Sequence, residues 1–193
     1  MEMVLIEEFE ALDIQEDVRS HSLRVMELSV QVAKQMISSG YEEEINVNAL
    51  RVAALYHDVG KMDVSKFILN KPGKLCDHEL KKMQQHVKYS GKYASERGFP
   101  SNIIKIILHH HENCSGTGYP FGLTGSHLSI ESKILRAADI YDALTSDRPY
   151  RKAFSQNDTL DIILKDHKEY DMNVLRTLLE VLGVNNIEKE RIA

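Results

Sequence analysis

Two cysteines in 193 residues, Cys76 and Cys114, are too few and too poorly spaced for a disulfide framework or a thiolate metal motif. They read as the reduced thiols of a cytosolic protein. Charge of one sign is also scarce. A formal net charge of −5 offers no overall field for bulk nucleic acid or an anionic membrane. A small polyanion would have to be met by a local cluster. No run approaches the ~18 apolar residues of a spanning helix. The acidic start, MEMVLIEEFEALDIQED, lacks the basic front and longer apolar run of a secretory signal. The expected compartment is therefore the cytoplasm, with no membrane and no bulk nucleic acid among the partners. Repeats, low-complexity stretches and an obvious interdomain linker are missing as well. The chain reads as one domain over residues 1–193, with 184–193 as a C-terminal tail, and is long enough to bury a real core.

Strictly alternating apolar runs are absent too, which argues against strands. What is present is helical spacing almost throughout. The first strong helix is predicted over Ile14 to Ser39, with Val18, Val25, Met26, Val32, Ala33 and Met36 on its apolar stripe and Gly40 as its stop. A second starts near Asn46 or Asn48 and ends at Gly60, and a short helical turn follows at Val64 to Leu69. NKPGK is a loop, after which Asp77 N-caps a helix through Arg97. Pro100 opens the first turn of a helix that reaches the triplet His109, His110 and His111. Residues 113–127 are irregular. Helices over Ile130 to Ser146, 156–168 and 172–182 complete the chain, with Ser155 to Asp158 resembling a capping box. The fold class is all-α, a single helical bundle.

Candidate chemistry is scattered along this bundle. His57 and Asp58 stand side by side near a helix end, a suitable donor pair for a divalent transition metal, and Lys61 follows three positions later. Asp17 and His21 share a helix face at i, i+4. His86 lies on the apolar stripe of Met83, Val87 and Tyr93, where a lone histidine is more often a satisfied core residue. On a helix, His110 and His111 would point about 100° apart, which suits two neighbouring ions better than one. His109 then faces elsewhere. Asp139 and Asp142 sit inside the apolar helix ILRAADIYDALTS, a poor place for aspartate. A buried carboxylate there needs partners. Each signal is weak alone. Together they are inward-facing His and Asp side chains from several helices, which is how helical bundles build metal centres.

The blocks HSLRV at His21, HDVGK at His57, ILNKPGKL at Ile68, HVKYSG at His86, HHENCSGTGYP at His110 and AADIYDALTSDRPYRKA at Ala137 stand in an ordered series. In that order and spacing the chain resembles the HD-GYP phosphodiesterases of the HD phosphohydrolase superfamily, over about residues 14–175. The resemblance implies an all-α fold with two or three divalent ions, iron or manganese, between the helices. It implies hydrolysis of cyclic di-GMP to linear pGpG or onward to GMP. It assigns metal ligation to His21, His57, Asp58, His86, His110, His111 and Asp139, with Asp17 as the candidate for a third ion. Asp58 and Lys61 become the catalytic pair, Lys61 assisting at the scissile phosphate. Tyr119 falls in the ligand-contacting loop, and Arg148 and Arg151 fall where basic residues hold phosphates. Glycines in GTGYPFG let that loop turn sharply, and Pro120 stiffens it.

Three departures stand out. Ser115 replaces an aspartate common before the loop glycine, which would loosen the turn. Asp17 replaces the glutamate of three-metal members. Most members carry a sensor or receiver domain and none is legible in these residues, so the expectation is a domain that is either constitutive or regulated by a separate protein. Two other readings stay open: a phosphohydrolase for a different cyclic dinucleotide or a nucleotide, and a non-catalytic module that senses the messenger or docks a partner.

Overall fold

The computed structural model describes residues 2–147 and 151–184, with side chains from residue 6 onward. Arg148 and nearly all of the 184–193 tail lie outside the described residues. The described residues form ten α-helices: α1 (Glu2–Glu10), α2 (Glu16–Ser38), α3 (Val47–Tyr56), α4 (Lys66–Leu69), α5 (Asp77–Gln84), α6 (His86–Glu96), α7 (Ser101–His109), α8 (Ile130–Thr145), α9 (Gln156–Lys165) and α10 (Met172–Val181). Among the described residues there is no strand, only an isolated bridge between Ser115 and Thr124. No helix among them is long and apolar enough to cross a membrane.

The long helix α2 is the spine. Its residues Val18, Ser22, Val25, Ser29, Val32 and Met36 are buried at alternating spacings of four and three, so one face meets the core along its whole length. That face packs on α3, α8 and α10. Small side chains at Ala49, Ala53 and Ala54 on α3 let the two helices come close. Leu50, Leu55, Ile107, Ile134, Leu135, Leu175 and Leu178 fill the rest of the core.

Four expectations change. Helix α1 was read only as an acidic segment. Burial of Phe9 edge-on to Tyr56, with ring centres 5.3 Å apart, holds it, and Arg19 donates to the carbonyls of Phe9, Glu10 and Leu12. The helix expected from Asp77 to Arg97 is two helices, parted at Gln85, and its N-cap is Cys76. Pro100 is the N-cap of α7 rather than part of its first turn. The second helix stops at Tyr56, and a separate 3₁₀ turn covers Val59–Asp63.

That 3₁₀ turn sits directly on α6, and Gly60 makes the approach possible. Its N–H donates to Ser90 Oγ at 2.8 Å. A Cβ at Gly60 would lie 2.3 Å from the His86 carbonyl oxygen and 2.4 Å from the Ser90 nitrogen. The neighbours are backbone, so the turn itself would have to move. Gly60→Ala should therefore lower stability by about 1–3 kcal/mol, the usual range for overpacking. Urea unfolding checks this. A midpoint equal to wild type would mean that the turn is free to shift.

Candidate metal centre

Three histidines occupy equivalent positions. His57 follows the end of α3, His110 follows the end of α7, and His86 comes just after the end of α5. Carbonyls in the last turn of a helix lack an intrahelical N–H partner. Each of these histidines turns back and donates to a carbonyl three residues before it. His57 Nδ1–H donates to Ala54 O at 2.7 Å, His86 Nδ1–H to Met83 O at 2.7 Å, and His110 Nδ1–H to Ile107 O at 2.6 Å. With the proton committed at Nδ1, each ring presents an Nε2 lone pair on its other side.

Those lone pairs converge. His86 Nε2 and His110 Nε2 lie 3.3 Å apart, both as acceptors with no proton to share. His57 Nε2 and Asp58 Oδ1 are buried without a hydrogen-bond partner. Burial, reinforced for His110 by its histidine neighbours, pushes His86 and His110 below the usual imidazole range and His111 down to about 3. Neutral imidazoles whose lone pairs face one another form a donor set suited to a cation between them. A divalent transition metal, which accepts mixed imidazole and carboxylate donors, fits this set.

Asp58 lies at the centre. Oδ1 is 3.3 Å from His86 Nε2, while Oδ2 is 3.4 Å from His57 Nε2 and 3.6 Å from His21 Nε2. Lys61 Nζ also donates to Oδ2. Burial opposes ionisation of Asp58, yet Lys61 and His57 beside it hold the carboxyl well below the ordinary range. The donor atoms group into His86, His110 and His111; His21, His57 and Asp139; and His57, Asp58 and His110, each set lying within 4.8 Å. His110 and His111 thus share one group, unlike the expectation from helical spacing. The reason is that α7 ends at His109, and the two rings come to 4.0 Å between centres. His109 turns away and meets Phe121 edge-on.

A cavity of about 400 Å³ opens above these groups. Lys61, His86, His111, Asp139, Tyr119 and Asp17 all line it. Asp17 is exposed and belongs to none of the three donor groups. Arg151 reaches the cavity wall, but three of its five N–H groups donate to the carbonyls of Ala143, Leu144 and Lys152, so it also closes the end of α8.

The loop after His111 is held from below by Glu112, fully buried, whose carboxylate accepts from the N–H groups of Phe121 (2.6 Å) and Leu123 (2.8 Å). Tyr119 N–H donates to His111 O, and the Tyr119 ring lies 4.7 Å from the His111 ring. The Tyr119–Pro120 peptide is cis. Gly118 is pressed against the chain, where a Cβ would stand 2.5 Å from Glu112 Cα. Ser115 does not leave the loop slack. Its hydroxyl donates to Asn113 Oδ1 at 3.0 Å, and the same oxygen accepts from Thr117 N–H.

Sequence reasoning missed Arg24 and gave Asp142 and Glu112 no role. Asp142 Oδ2 accepts from His21 Nδ1–H at 2.6 Å, and Arg24 grips both carboxylate oxygens, at 2.6 and 3.0 Å. The signals were present: an aspartate in a helix interior, an arginine one turn beyond His21, and an acid ahead of a loop rich in unpaired N–H groups.

The family model of the HD domain matches residues 12–174. The chain belongs to the HD domain family. Over 165 residues it is 34% identical to a cyclic di-GMP phosphodiesterase of Pseudomonas aeruginosa, covering 85% of this chain and 39% of that protein. Identity is 35% over 165 residues to the 3′3′-cGAMP-specific phosphodiesterase 3 of Vibrio cholerae, covering 85% of this chain and 35% of that one. This HD domain therefore spans well under half the length of either relative. Among solved structures, an HDG"Y"P protein from Bdellovibrio bacteriovorus superposes with a TM-score of 0.68 at 20% identity, over 86% of this chain and 52% of that one. At that identity the likeness is one of fold.

The Arg24–Asp142–His21 chain orients a candidate metal ligand, and partners of that kind typically contribute 10–100-fold to metal affinity. Arg24→Ala and Asp142→Asn should each weaken one class of sites by about that factor and leave helical content unchanged. Titrating metal-free protein with Co²⁺, followed by visible absorption and circular dichroism, reads both. Wild-type affinity in a folded variant would count against a role for this chain.

Proposed function

We propose that this HD domain is a metal-dependent phosphodiesterase for a 3′,3′-cyclic dinucleotide, with cyclic di-GMP as its substrate. One observation carries the reading: proton-free Nε2 donors and two buried aspartates converge beneath a cavity bordered by Lys61 and Tyr119. Relatives that share most of this chain's length are named for cyclic di-GMP and 3′3′-cGAMP.

Two divalent ions are the proposed complement, one with His21, His57 and Asp139 and one with His86, His110 and His111. Asp58 lies between the two sets. Iron or manganese matches the mixed donor set. Ions held there would supply a Lewis acid toward the phosphoryl oxygens and acidify water for attack. The protein's own groups do the rest. The Lys61 ammonium offsets charge that develops on the phosphoryl oxygens. The Tyr119 ring forms one wall against the nucleotide. Leu75, Leu80 and Met83 give the cavity an apolar side for a base. Arg148, and what remains of the Arg151 donors, are proposed for the phosphates.

The test is metal analysis of anaerobically purified protein followed by product analysis with cyclic di-GMP, 3′3′-cGAMP and cyclic di-AMP. Asp58→Ala should abolish turnover and bound metal with helical content retained. Full metal content in a folded Asp58→Ala protein would falsify the assignment. Lys61→Ala should keep the metal and lose about 10²–10³-fold in kcat, as for removal of a positioned charge donor.

Asp17 is placed to decide how far the reaction runs. It lines the cavity apart from the ligand groups, so a third ion there would be weakly held. With Mn²⁺ saturating, Asp17→Ala should retain the first cleavage and lose most conversion of pGpG to GMP. A time course of both products checks this. GMP formed at the wild-type rate would remove the third ion from the reading.

A further inference from the structure

The cavity over the metal centre has a neighbour. A second cavity of about 340 Å³ lies between the start of α2, the 3₁₀ turn and α4. The two share Gln15, Val18, Lys61 and Leu69 as lining residues, so they meet along one seam with Lys61 in it. Ile14, Val18, Met62, Val64 and Leu69 give the side cavity an apolar part, and Asp13, Gln15, Lys61 and Lys66 give it a polar one. Met62 is left 42% exposed there, a large apolar side chain with no core to join. Asp13 also lines this cavity, is exposed, and makes no hydrogen bond or ion pair among the described residues.

We propose that the side cavity is the subsite for the second nucleobase of the cyclic dinucleotide, with the Asp13 carboxylate reading the edge of a guanine. The inference rests on the phosphodiesterase reading above. A cyclic dinucleotide carries two phosphates and two bases on one ring. With one phosphate at the metal centre, the first base takes the apolar side formed by Leu75, Leu80 and Met83. The ring then carries the second nucleoside across Lys61, and the second base needs another apolar slot. The side cavity is adjacent and of ligand size, with apolar side chains to meet a base face and polar ones to meet its edge. Guanine presents N1–H and the exocyclic NH₂ on one edge, and a carboxylate accepts both at once. Adenine presents an acceptor at N1 instead, which would face the same carboxylate unfavourably. The subsite thus distinguishes guanine from adenine, which the metal centre itself has no means to do. A mononucleotide would leave it unused.

The experiment compares wild type, Asp13→Asn and Met62→Ala, all loaded with Mn²⁺. Substrates are cyclic di-GMP, cyclic di-AMP and bis(p-nitrophenyl) phosphate, a small diester that reports the metal centre without reaching the side cavity. Asp13→Asn should raise KM for cyclic di-GMP about ten-fold, the size of one charge-assisted hydrogen bond, with kcat retained. Its preference for cyclic di-GMP over cyclic di-AMP should shrink by the same factor. Met62→Ala should raise KM for both cyclic dinucleotides alike. Rates on the small diester should be those of wild type in every case. Unchanged KM for cyclic di-GMP in both variants would overturn the subsite while leaving the phosphodiesterase reading intact. Wild-type turnover of the small diester but of no cyclic dinucleotide would remove the substrate reading and the subsite with it. Failure on all three substrates would remove the catalytic reading itself.

Discussion

The hydrogen bond from a histidine Nδ1–H to the carbonyl three residues before it is the constraint on which the centre depends. In the centre it is made at His57, His86 and His110, each beyond the last turn of a helix, and His167 past the end of α9 makes the same bond to Leu164 O away from the site. One bond does two jobs. It adds a donor to a carbonyl in the last turn of a helix, and it fixes the imidazole tautomer so that Nε2 points inward as a lone pair. The helix ends are therefore part of the site. At Met83 the carbonyl accepts a backbone N–H of the helix end as well as His86 Nδ1–H, using both lone pairs.

Around these rings the protein concentrates charge that burial alone would not tolerate. Asp58, Asp139 and Asp142 are all buried, and each is held ionised by a neighbour: Lys61 and His57 for the first, His21 for the second, His21 and Arg24 for the third. Buried charges of this kind persist only when paired or bound to metal. His21 differs from the other histidines. It has a carboxylate at each nitrogen, and these raise its proton affinity against the effect of burial. The rest of the fold serves this arrangement. The α2 spine delivers His21 and Arg24 on one face, Gly60 lets the turn after Asp58 lie on α6, and Glu112 anchors the loop that brings Tyr119 over His111.

Much of this was legible beforehand where local chemistry decides structure. The all-α class, the course of α2, α3, α7, α8, α9 and α10, and the stop at Gly40 followed from periodicity and capping residues. His57 with Asp58, and Asp139 inside an apolar helix, stood out because those residue types are costly where the pattern put them. Elements held by distant contacts were not legible. Helix α1 depends on Phe9 meeting Tyr56 and on Arg19 reaching its last carbonyls, those of Phe9 and Glu10. The break at Gln85 has no glycine or proline to announce it. Arg24 was invisible as a functional residue because its partner, Asp142, is 118 positions away.

By itself, then, the sequence determined which residue types were available, the helices they ride on and the order of the blocks. These depend on spacing within a few turns, where side-chain direction follows from helix geometry. Tertiary structure decided which donors share a group. His110 and His111 joined His86 only because α7 ended one residue before them. Asp17, one turn before His21, lines the cavity but stays outside every donor group. Arg151 acquired three backbone carbonyls as partners. Ligand sets are statements about distances of a few ångströms between helices far apart in the chain, and only packing of the core sets those distances.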